Sequence, residues 1–183
     1  DFIVVFHVLI GGINSYLYAQ RFDSNGDTVW ANPTQIANYA TAFINSYSGV
    51  QDGDIVYMGF RASPGARFDS FVQRINPDGS LPWGINGMDF DTNQTDYEMD
   101  TKIAFESGSP FVWSICTYTD SSQGPKGEYI QKFDKITGAR QFTDTAKQVY
   151  AIGSEMVHAG DLQLKNDNPV FLLKSGVDNG ATP

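Results

Sequence analysis

The sequence is poor in the side chains that build disulfides, metal centres and most hydrolase sites. It contains one cysteine, Cys116, and two histidines, His7 and His158. A disulfide within the chain and a cysteine-rich zinc site are therefore excluded. Cys116 lies in an apolar run and is interpreted as a small buried side chain, and both histidines are interpreted as structural because they lie in or near strand-like patterns. A P-loop, a nucleophile elbow and a zinc motif are also absent.

Basic residues and long apolar runs are scarce as well. The sequence has 12 Lys and Arg against 21 Asp and Glu, which gives a formal net charge of -9. A surface of this sign repels a phosphate backbone, so nucleic acid is not an expected partner. The longest apolar stretch, from Phe2 to Ile10, is far too short to span a bilayer as a helix. We therefore expect no membrane insertion.

Aromatic residues and glycine are plentiful, and they recur in a pattern. Aromatics make up 14% of the chain and there are 18 glycines, a mixture that favours strands joined by tight turns. Three segments share the pattern aromatic-x-Gln-basic-apolar, followed by a turn with Gly and a closing aromatic residue. Their glutamines are 53 and 58 residues apart, the length of one four-stranded propeller blade. The segments are Tyr18–Trp30, Phe71–Trp83 and Tyr129–Phe142.

Each segment predicts a β-hairpin, with Trp30 and Trp83 beginning the return strand. A second repeated strand precedes each hairpin, and a fainter first strand precedes that one. The second strands are predicted at Phe2–Phe6, Ile55–Met58 and Phe111–Trp113, with a fourth copy at Pro169–Leu173. The first strands are predicted at Ala42–Ser46, Lys102–Phe105 and Asp161–Leu164.

These elements predict an all-β fold: a β-propeller-like repeat of four-stranded antiparallel blades. We expect about three blades, cut from a larger propeller, so that the chain begins and ends inside a blade. The single domain 1–183 is then divided into a partial blade 1–34, blades 35–90 and 91–148, and a partial blade 149–183. A residue found in every blade serves packing, so Gln20, Gln73 and Gln131 are expected to satisfy backbone groups between sheets.

The segments Tyr18-Ala-Gln-Arg-Phe-Asp with Gly26 and Trp30, and Gln73-Arg-Ile-Asn-Pro-Asp-Gly with Trp83, resemble a repeat of large secreted or surface proteins of Bacteroidota-type bacteria. The resemblance implies export by type IX secretion, contact with that machinery, and a cell-surface or secreted location. The third copy departs from the repeat at Phe142 and is equally similar to quinoprotein-type propeller repeats.

Recognition is expected in the loops that differ between blades, on the rim where the turns between second and third strands meet the inter-blade connections. Aromatic faces can stack on sugar rings, while charged and amide groups form directional hydrogen bonds to hydroxyls. The predicted ligand-binding residues are Arg67, Phe68, Tyr118, Asp120 and Gln123.

The acidic segment 89–100 has the oxygen spacing of a calcium loop. Asp89, Asp91, Asn93 and Asp100 occupy the first, third, fifth and twelfth positions, but Gln94 stands where a sharp turn needs glycine. Two interpretations stay open: a Ca²⁺ contact and a solvated acidic loop. No other cofactor is expected.

The sequence assigns no catalytic residue. The function it favours is a non-catalytic secreted or cell-surface binding and adhesion module that recognises glycan or protein. Two alternatives remain: part of a glycan-active enzyme whose catalytic residues lie outside this chain, and a structural cargo module of a secretion system.

Overall fold

The protein is built from β-strands joined by turns and loops. A computed structural model describes residues 1–12, 14–41, 47–153 and 155–177. Within these residues the strands pair in antiparallel sheets and no helix is found, so the predicted all-β fold is confirmed. The described residues accordingly include no helix of the length and apolarity needed to cross a membrane.

Three sheets follow one another along the chain, and within each sheet every strand pairs with the next. Sheet 1 contains β1 (Phe2–Ile10), β2 (Asn14–Phe22) and β3 (Thr34–Gln35). Sheet 2 contains β4 (Ser48–Asp52), β5 (Ile55–Ala62), β6 (Asp69–Ile75) and β7 (Met88–Asp89). Sheet 3 contains β8 (Tyr97–Phe105), β9 (Phe111–Thr119), β10 (Lys126–Asp134) and β11 (Lys147–Tyr150).

The remaining strands form one long hairpin, here called the end hairpin. Its outer part pairs β12 (Glu155–Ala159) with β15 (Leu173–Val177). Its tip pairs β13 (Gln163–Lys165) with β14 (Asn168–Val170). The Gly160 amide donates to the Leu172 carbonyl at 2.7 Å and joins the two parts. The end hairpin therefore corresponds to the first two strands of a further unit.

In sheets 1 to 3 the predicted second strands lie in β1, β5 and β9 and the third strands in β2, β6 and β10, so these predictions are confirmed. The fourth second strand, Pro169–Leu173, is not one strand: it is divided between β14 and β15, and Phe171 and Leu172 lie in neither. Of the predicted first strands, Lys102–Phe105 lies in β8 and Asp161–Leu164 overlaps β13, whereas Ala42–Ser46 lies outside the described residues. The prediction that Trp30 and Trp83 begin the return strands is wrong. Those strands begin later, with β3 and β7, because each indole turns toward the hairpin of the next sheet.

The hairpin turns between third and fourth strands form as the sequence predicts. In the first, Asp23 Oδ1 accepts hydrogen bonds from the amides of Asn25 and Asp27 at 2.8 and 3.0 Å. Gly26 closes the turn with a φ of 88°, in the left-handed region that glycine enters without a side-chain clash. Asp134 caps the longer third turn in the same way, since its Oδ1 accepts hydrogen bonds from the amides of Ile136 and Thr137.

Neighbouring sheets pack face to face around shared hydrophobic cores. Leu17 and Ala19 of sheet 1 meet Met58, Phe60 and Phe71 of sheet 2. Between sheets 2 and 3 the core includes Tyr57, Val72, Trp83, Ile103, Val112, Tyr118 and Phe133. The end hairpin covers the far side of sheet 3 with Leu162, Leu164 and Phe171.

The repeated glutamines satisfy backbone groups at these interfaces, as predicted. Gln73 Nε2 donates to the carbonyls of Ile36 and Gly84, at 3.1 and 2.9 Å, and so links sheet 2 to the segment after sheet 1. Gln131 Nε2 donates to the carbonyl of Phe142 at 2.8 Å. Both amide groups are fully buried, so removing either one would leave carbonyls without a donor.

The repeated Arg and Trp reach from each sheet to the hairpin turn of the next. Arg21 Nη1 and Trp30 Nε1 both donate to the Pro77 carbonyl at 2.9 Å. In the next unit, Arg74 Nη1 donates to the Lys135 carbonyl at 2.6 Å, and Trp83 Nε1 to that of Ile136 at 3.3 Å. These contacts between neighbouring sheets explain why Arg, Gly and Trp have the same spacing in the first two units.

Gly59 allows sheets 2 and 3 to approach closely, and its replacement by alanine should destabilise the protein. A Cβ at this position would lie 2.8 Å from Thr101 Cγ2 and 3.0 Å from Ile103 Cγ2, on β-branched side chains that have little room to move. We expect Gly59→Ala to lower the free energy of unfolding by about 1–3 kcal/mol in urea denaturation.

The matched control is Gly65→Ala, because a Cβ at Gly65 meets no atom within 4 Å. It should change stability by less than about 0.5 kcal/mol or raise it slightly. Equal stabilities of the two variants would contradict the close approach of the sheets.

Candidate functional site

Loops from two sheets meet along one edge of the molecule, here called the rim. The rim comprises the turns 63–68 and 120–125 and the connecting segment 90–96. The Glu98 amide donates to the Phe68 carbonyl at 2.9 Å, and Arg67 Nη2 donates to the Asn93 carbonyl at 2.5 Å. Tyr97 pairs with Thr119, which places the 120–125 turn at the same edge.

The rim holds an open cleft of about 400 Å³, here called the rim cleft. One wall comes from the 63–68 turn and the start of β6, and the other from the connecting segment and the start of β8. The residues that line it are Pro64, Gly65, Ala66, Arg67, Asp69, Gln94 and Tyr97. The cleft therefore combines an aromatic ring, an amide, a guanidinium and a carboxylate.

Arg67 is the cation of the rim cleft, and a carboxylate already neutralises it. Its Nε donates to Asp69 Oδ1 at 2.5 Å, and Nη2 completes a salt bridge to the same oxygen. Burial lowers the pKa of Arg67, but the hydrogen bond and charge of Asp69 outweigh this effect and raise it. Asp69 has almost no exposed surface, and burial raises its pKa despite the guanidinium. The pair fixes the 63–68 turn to β6.

Three further carboxyl groups lie behind Asp69 between sheets 2 and 3, and the four are here called the acid cluster: Asp69, Asp89, Asp91 and Glu98. Glu98 is fully buried and its Oε2 accepts from the Ser70 amide at 2.7 Å. Burial, and then the charge of the nearby Asp91, raise the pKa of Glu98 well above its ordinary value, which favours the protonated form.

Asp89 and Asp91 complete the acid cluster in different ways. Burial, then the charges of Asp69 and Asp91, raise the pKa of Asp89 to about 6. Asp91 accepts a hydrogen bond from the Tyr118 hydroxyl at 2.5 Å. Glu98 Oε1 is buried as well, and the charge of the nearby Asp91 adds to the raised pKa of Glu98. Burial and repulsion within the acid cluster thus favour the uncharged forms of Glu98 and Asp89.

The structure separates the five predicted ligand-binding residues. Arg67 lines the rim cleft, and Phe68 packs beside it, with the Arg61 guanidinium 4.6 Å from its ring centroid. Tyr118 has no exposed surface, since its ring stacks on Tyr129 at 4.1 Å within the core. A ligand would reach Tyr118 only if the sheets moved apart, so Tyr118 is left out of the binding surface proposed below.

Asp120 and Gln123 shape the 120–125 turn and do not line the rim cleft. Asp120 Oδ1 accepts from the Ser122 amide at 2.9 Å, and Gln123 has a φ of 60°. The sequence did not point to Tyr97 and Gln94, which provide the opposite wall of the cleft. Both lie in the acidic segment 89–100, which the sequence singles out for its calcium-loop spacing rather than as a ligand-binding surface.

The oxygens predicted to contact Ca²⁺ are engaged within their own loop. Asp91 Oδ1 accepts from the Asn93 amide at 2.6 Å, and Asn93 Oδ1 accepts from the Thr95 amide at 2.8 Å. Asp89 lies in the acid cluster, whereas Asp100 interacts with Arg61. Among the described residues, no group of three or more His, Cys, Asp or Glu side chains is arranged to hold a metal ion. Calcium binding stays a prediction.

A second polar cluster surrounds His7 of β1 and lies outside the rim cleft. His7 Nδ1 lies 2.5 Å from Ser15 Oγ and 3.2 Å from Thr41 Oγ1, and Nε2 lies 2.7 Å from the Tyr47 hydroxyl. Burial lowers the pKa of His7. In a catalytic triad the second ring nitrogen contacts a carboxylate, but here it contacts a phenol, and Ser15 is only 4% exposed. The cluster connects sheet 1 to the next segment, in keeping with a structural histidine.

No known protein family matches the sequence of the chain, and no curated protein matches it. The resemblance of the repeat to surface proteins of Bacteroidota-type bacteria therefore stays a prediction. The functional argument rests on the geometry of the rim.

Asp89→Asn should flatten the pH dependence of stability. The folded-state pKa of Asp89, about 6, lies above the ordinary value of 3.8. Its contribution to stability is therefore complete below about pH 4 and is lost as the pH rises through 6. The variant removes this loss and should be more stable than the native protein at pH 7, by an amount on the order of 1 kcal/mol after solvent screening.

Urea unfolding between pH 4 and pH 7.5 measures this difference. The control is Asp144→Asn, since the Asp144 side chain is 81% exposed and its substitution should change stability by less than about 0.5 kcal/mol. The assignment fails if Asp89→Asn follows the native protein at every pH.

Proposed function

We propose that the chain is a non-catalytic binding and adhesion module of the β-propeller type that recognises glycan at the rim cleft. About three blades of a larger propeller are proposed, with sheets 1 to 3 as blades and the end hairpin as the start of another. The support is the succession of antiparallel meander sheets packed face to face, which is typical of propellers. A secreted or cell-surface location is proposed from the resemblance of the repeat.

The rim cleft is the observation that carries the proposal. Tyr97 offers a ring for stacking on a sugar, and its own edge-to-face contact with Phe68, at 5.9 Å, holds it in place. Gln94 is exposed, and its side-chain amide can donate and accept hydrogen bonds. A ring flanked by directional polar groups in an open cleft is a common arrangement for binding hydroxylated ligands.

The burial of the acid cluster favours binding over catalysis. Hydrolysis of a glycosidic bond needs two carboxyl groups that both reach the sugar. Asp91 is 2% exposed and Glu98 is fully buried, and their partners are Tyr118 and Ser70 rather than groups in the cleft. The acids nearest to the cleft therefore stabilise the junction of sheets 2 and 3. A glycan-active enzyme with catalytic residues outside this chain remains the alternative.

The Tyr97→Ala/Gln94→Ala double variant should lose glycan binding. Loss of one stacking contact and one set of hydrogen bonds together weakens binding by about 1–3 kcal/mol, or roughly 5- to 100-fold. A glycan array identifies the ligand for the native protein, and titration calorimetry then measures the affinity of each variant. Far-ultraviolet circular dichroism shows whether the double variant remains folded.

The matched control is Gln141→Ala, since Gln141 is exposed in the segment between β10 and β11 and does not line the cleft. It should bind as tightly as the native protein. Equal binding by the double variant would show that the cleft is not the site, and release of reducing sugar would favour the enzyme. Binding by none of the proteins would favour a structural module.

A further inference from the structure

One face of sheet 1 carries large apolar side chains and has no sheet packed on it among the described residues. Because successive strand residues point to opposite faces, the register of β1 and β2 places one set of side chains away from sheet 2. This set is here called the outer face: Phe2, Val4, Phe6, Val8, Tyr16, Tyr18, Gln20 and Phe22. Phe2 is 50% exposed and Val4 is 38% exposed.

The equivalent face of sheet 2 is an interface with sheet 1. The strand pairings make Phe2, Val4 and Phe6 equivalent to Val56, Met58 and Phe60. Met58 and Phe60 are buried against Leu17 and Ala19 of sheet 1. Sheet 3 repeats the arrangement, since Val112, Cys116 and Phe133 occupy the same positions and are buried against sheet 2. The outer face thus has the composition that packs on a neighbouring sheet in both other units.

The first hairpin turn also matches the turns that receive a neighbour's side chains. The ring of Trp30 lies on Gly79, within 3.2 Å of where a Cβ would stand, and Trp83 lies on Gly138 in the same way. At Gly26, the equivalent glycine of sheet 1, a Cβ would meet no atom within 4 Å. The Ser24 carbonyl is equivalent to that of Pro77, which accepts from Arg21 and Trp30. The first turn therefore offers an indole ring and a guanidinium group the same contact site as the second and third turns do.

The third feature of this side of sheet 1 is the outer edge of β1. In sheets 2 and 3 a first strand pairs with the outer edge of the second strand, β4 with β5 and β8 with β9. In sheet 1 the corresponding strand is β1, and among the described residues no strand pairs with its outer edge. Unpaired edges of this kind are sites where another strand adds.

We propose that the outer face, the first hairpin turn and the edge of β1 form one docking surface for another unit of the same repeat. The partner is a four-stranded sheet that places an indole N–H and a guanidinium on the Ser24 carbonyl, lays the indole ring on Gly26 and pairs a strand with β1. This surface is separate from the rim cleft and does not depend on the glycan proposal.

The experiment extends the full chain by one unit. Because Phe2 is equivalent to Val56, a copy of residues 1–54 placed directly before residue 1 keeps the register of the second strand. The copies of Trp30 and Arg21 then reach the original Gly26 and Ser24. Hydrogen exchange should show at least about tenfold greater protection of alternate β1 amides than in the 183-residue protein, because those amides gain partners.

Val4→Lys tests whether the added unit covers the outer face. In the extended protein it should lower Tm by roughly 4 °C or more, because the lysine is buried without a partner. In the 183-residue protein it should change Tm by less than about 1 °C. Val149→Lys is the matched control in both, since Val149 is 39% exposed on the edge strand β11.

Two results would overturn the proposal. One is unchanged protection of β1 in the extended protein, together with equal effects of Val4→Lys in both proteins. The other is self-association of the 183-residue protein that Val4→Lys abolishes, since a second copy would then be the occupant. Should the extended protein fail to fold, Val4→Lys is compared with Met58→Lys in the 183-residue protein. Equal losses of Tm would show that the outer face is already filled.

Discussion

The carbonyl groups at the tips of the hairpin turns connect one sheet to the next. Pro77 accepts from Arg21 and Trp30 of the preceding sheet, both at 2.9 Å, while the indole ring rests on Gly79. A side chain at Gly79 would collide with the ring, and its φ of 84° favours glycine in any case. The turn, the guanidinium and the indole thus form one set of contacts between two sheets. The sequence spacing within each unit must bring all three to the same place.

Because of these contacts between sheets, the repeated residues lie at the edge opposite to the rim. There the turn lengths are constrained, because a displaced carbonyl would lose two donors at once. The rim turns, in contrast, differ in length, from the short connection of β1 and β2 to the longer turns 63–68 and 120–125. Segments freed from a packing role can vary, which is why the cleft arises there rather than among the repeated positions.

The sequence predicts local features well and the rim poorly. Turn residues such as Asp23 and Gly26 act within their own hairpin, so their roles follow from spacing alone. Tyr118 is different, because nearly all of β9 is buried on both faces and the alternation that marks an exposed position disappears. Glu98 and Asp91 come close only after sheets 2 and 3 pack together, and no local pattern indicates a buried carboxyl group with a raised pKa.

The charge balance of the rim cleft also restricts what it can recognise. Arg67 already forms a salt bridge with Asp69, whose side chain is 3% exposed. An acidic ligand that took the guanidinium would leave the Asp69 carboxylate buried without its partner, beside the other carboxyl groups of the acid cluster. An uncharged ligand avoids that loss, because it can use the Tyr97 ring and the Gln94 amide while the salt bridge stays closed. Under the proposed glycan-binding function, neutral hydroxylated sugars are therefore the expected ligands, whereas uronic and sialic acids are not.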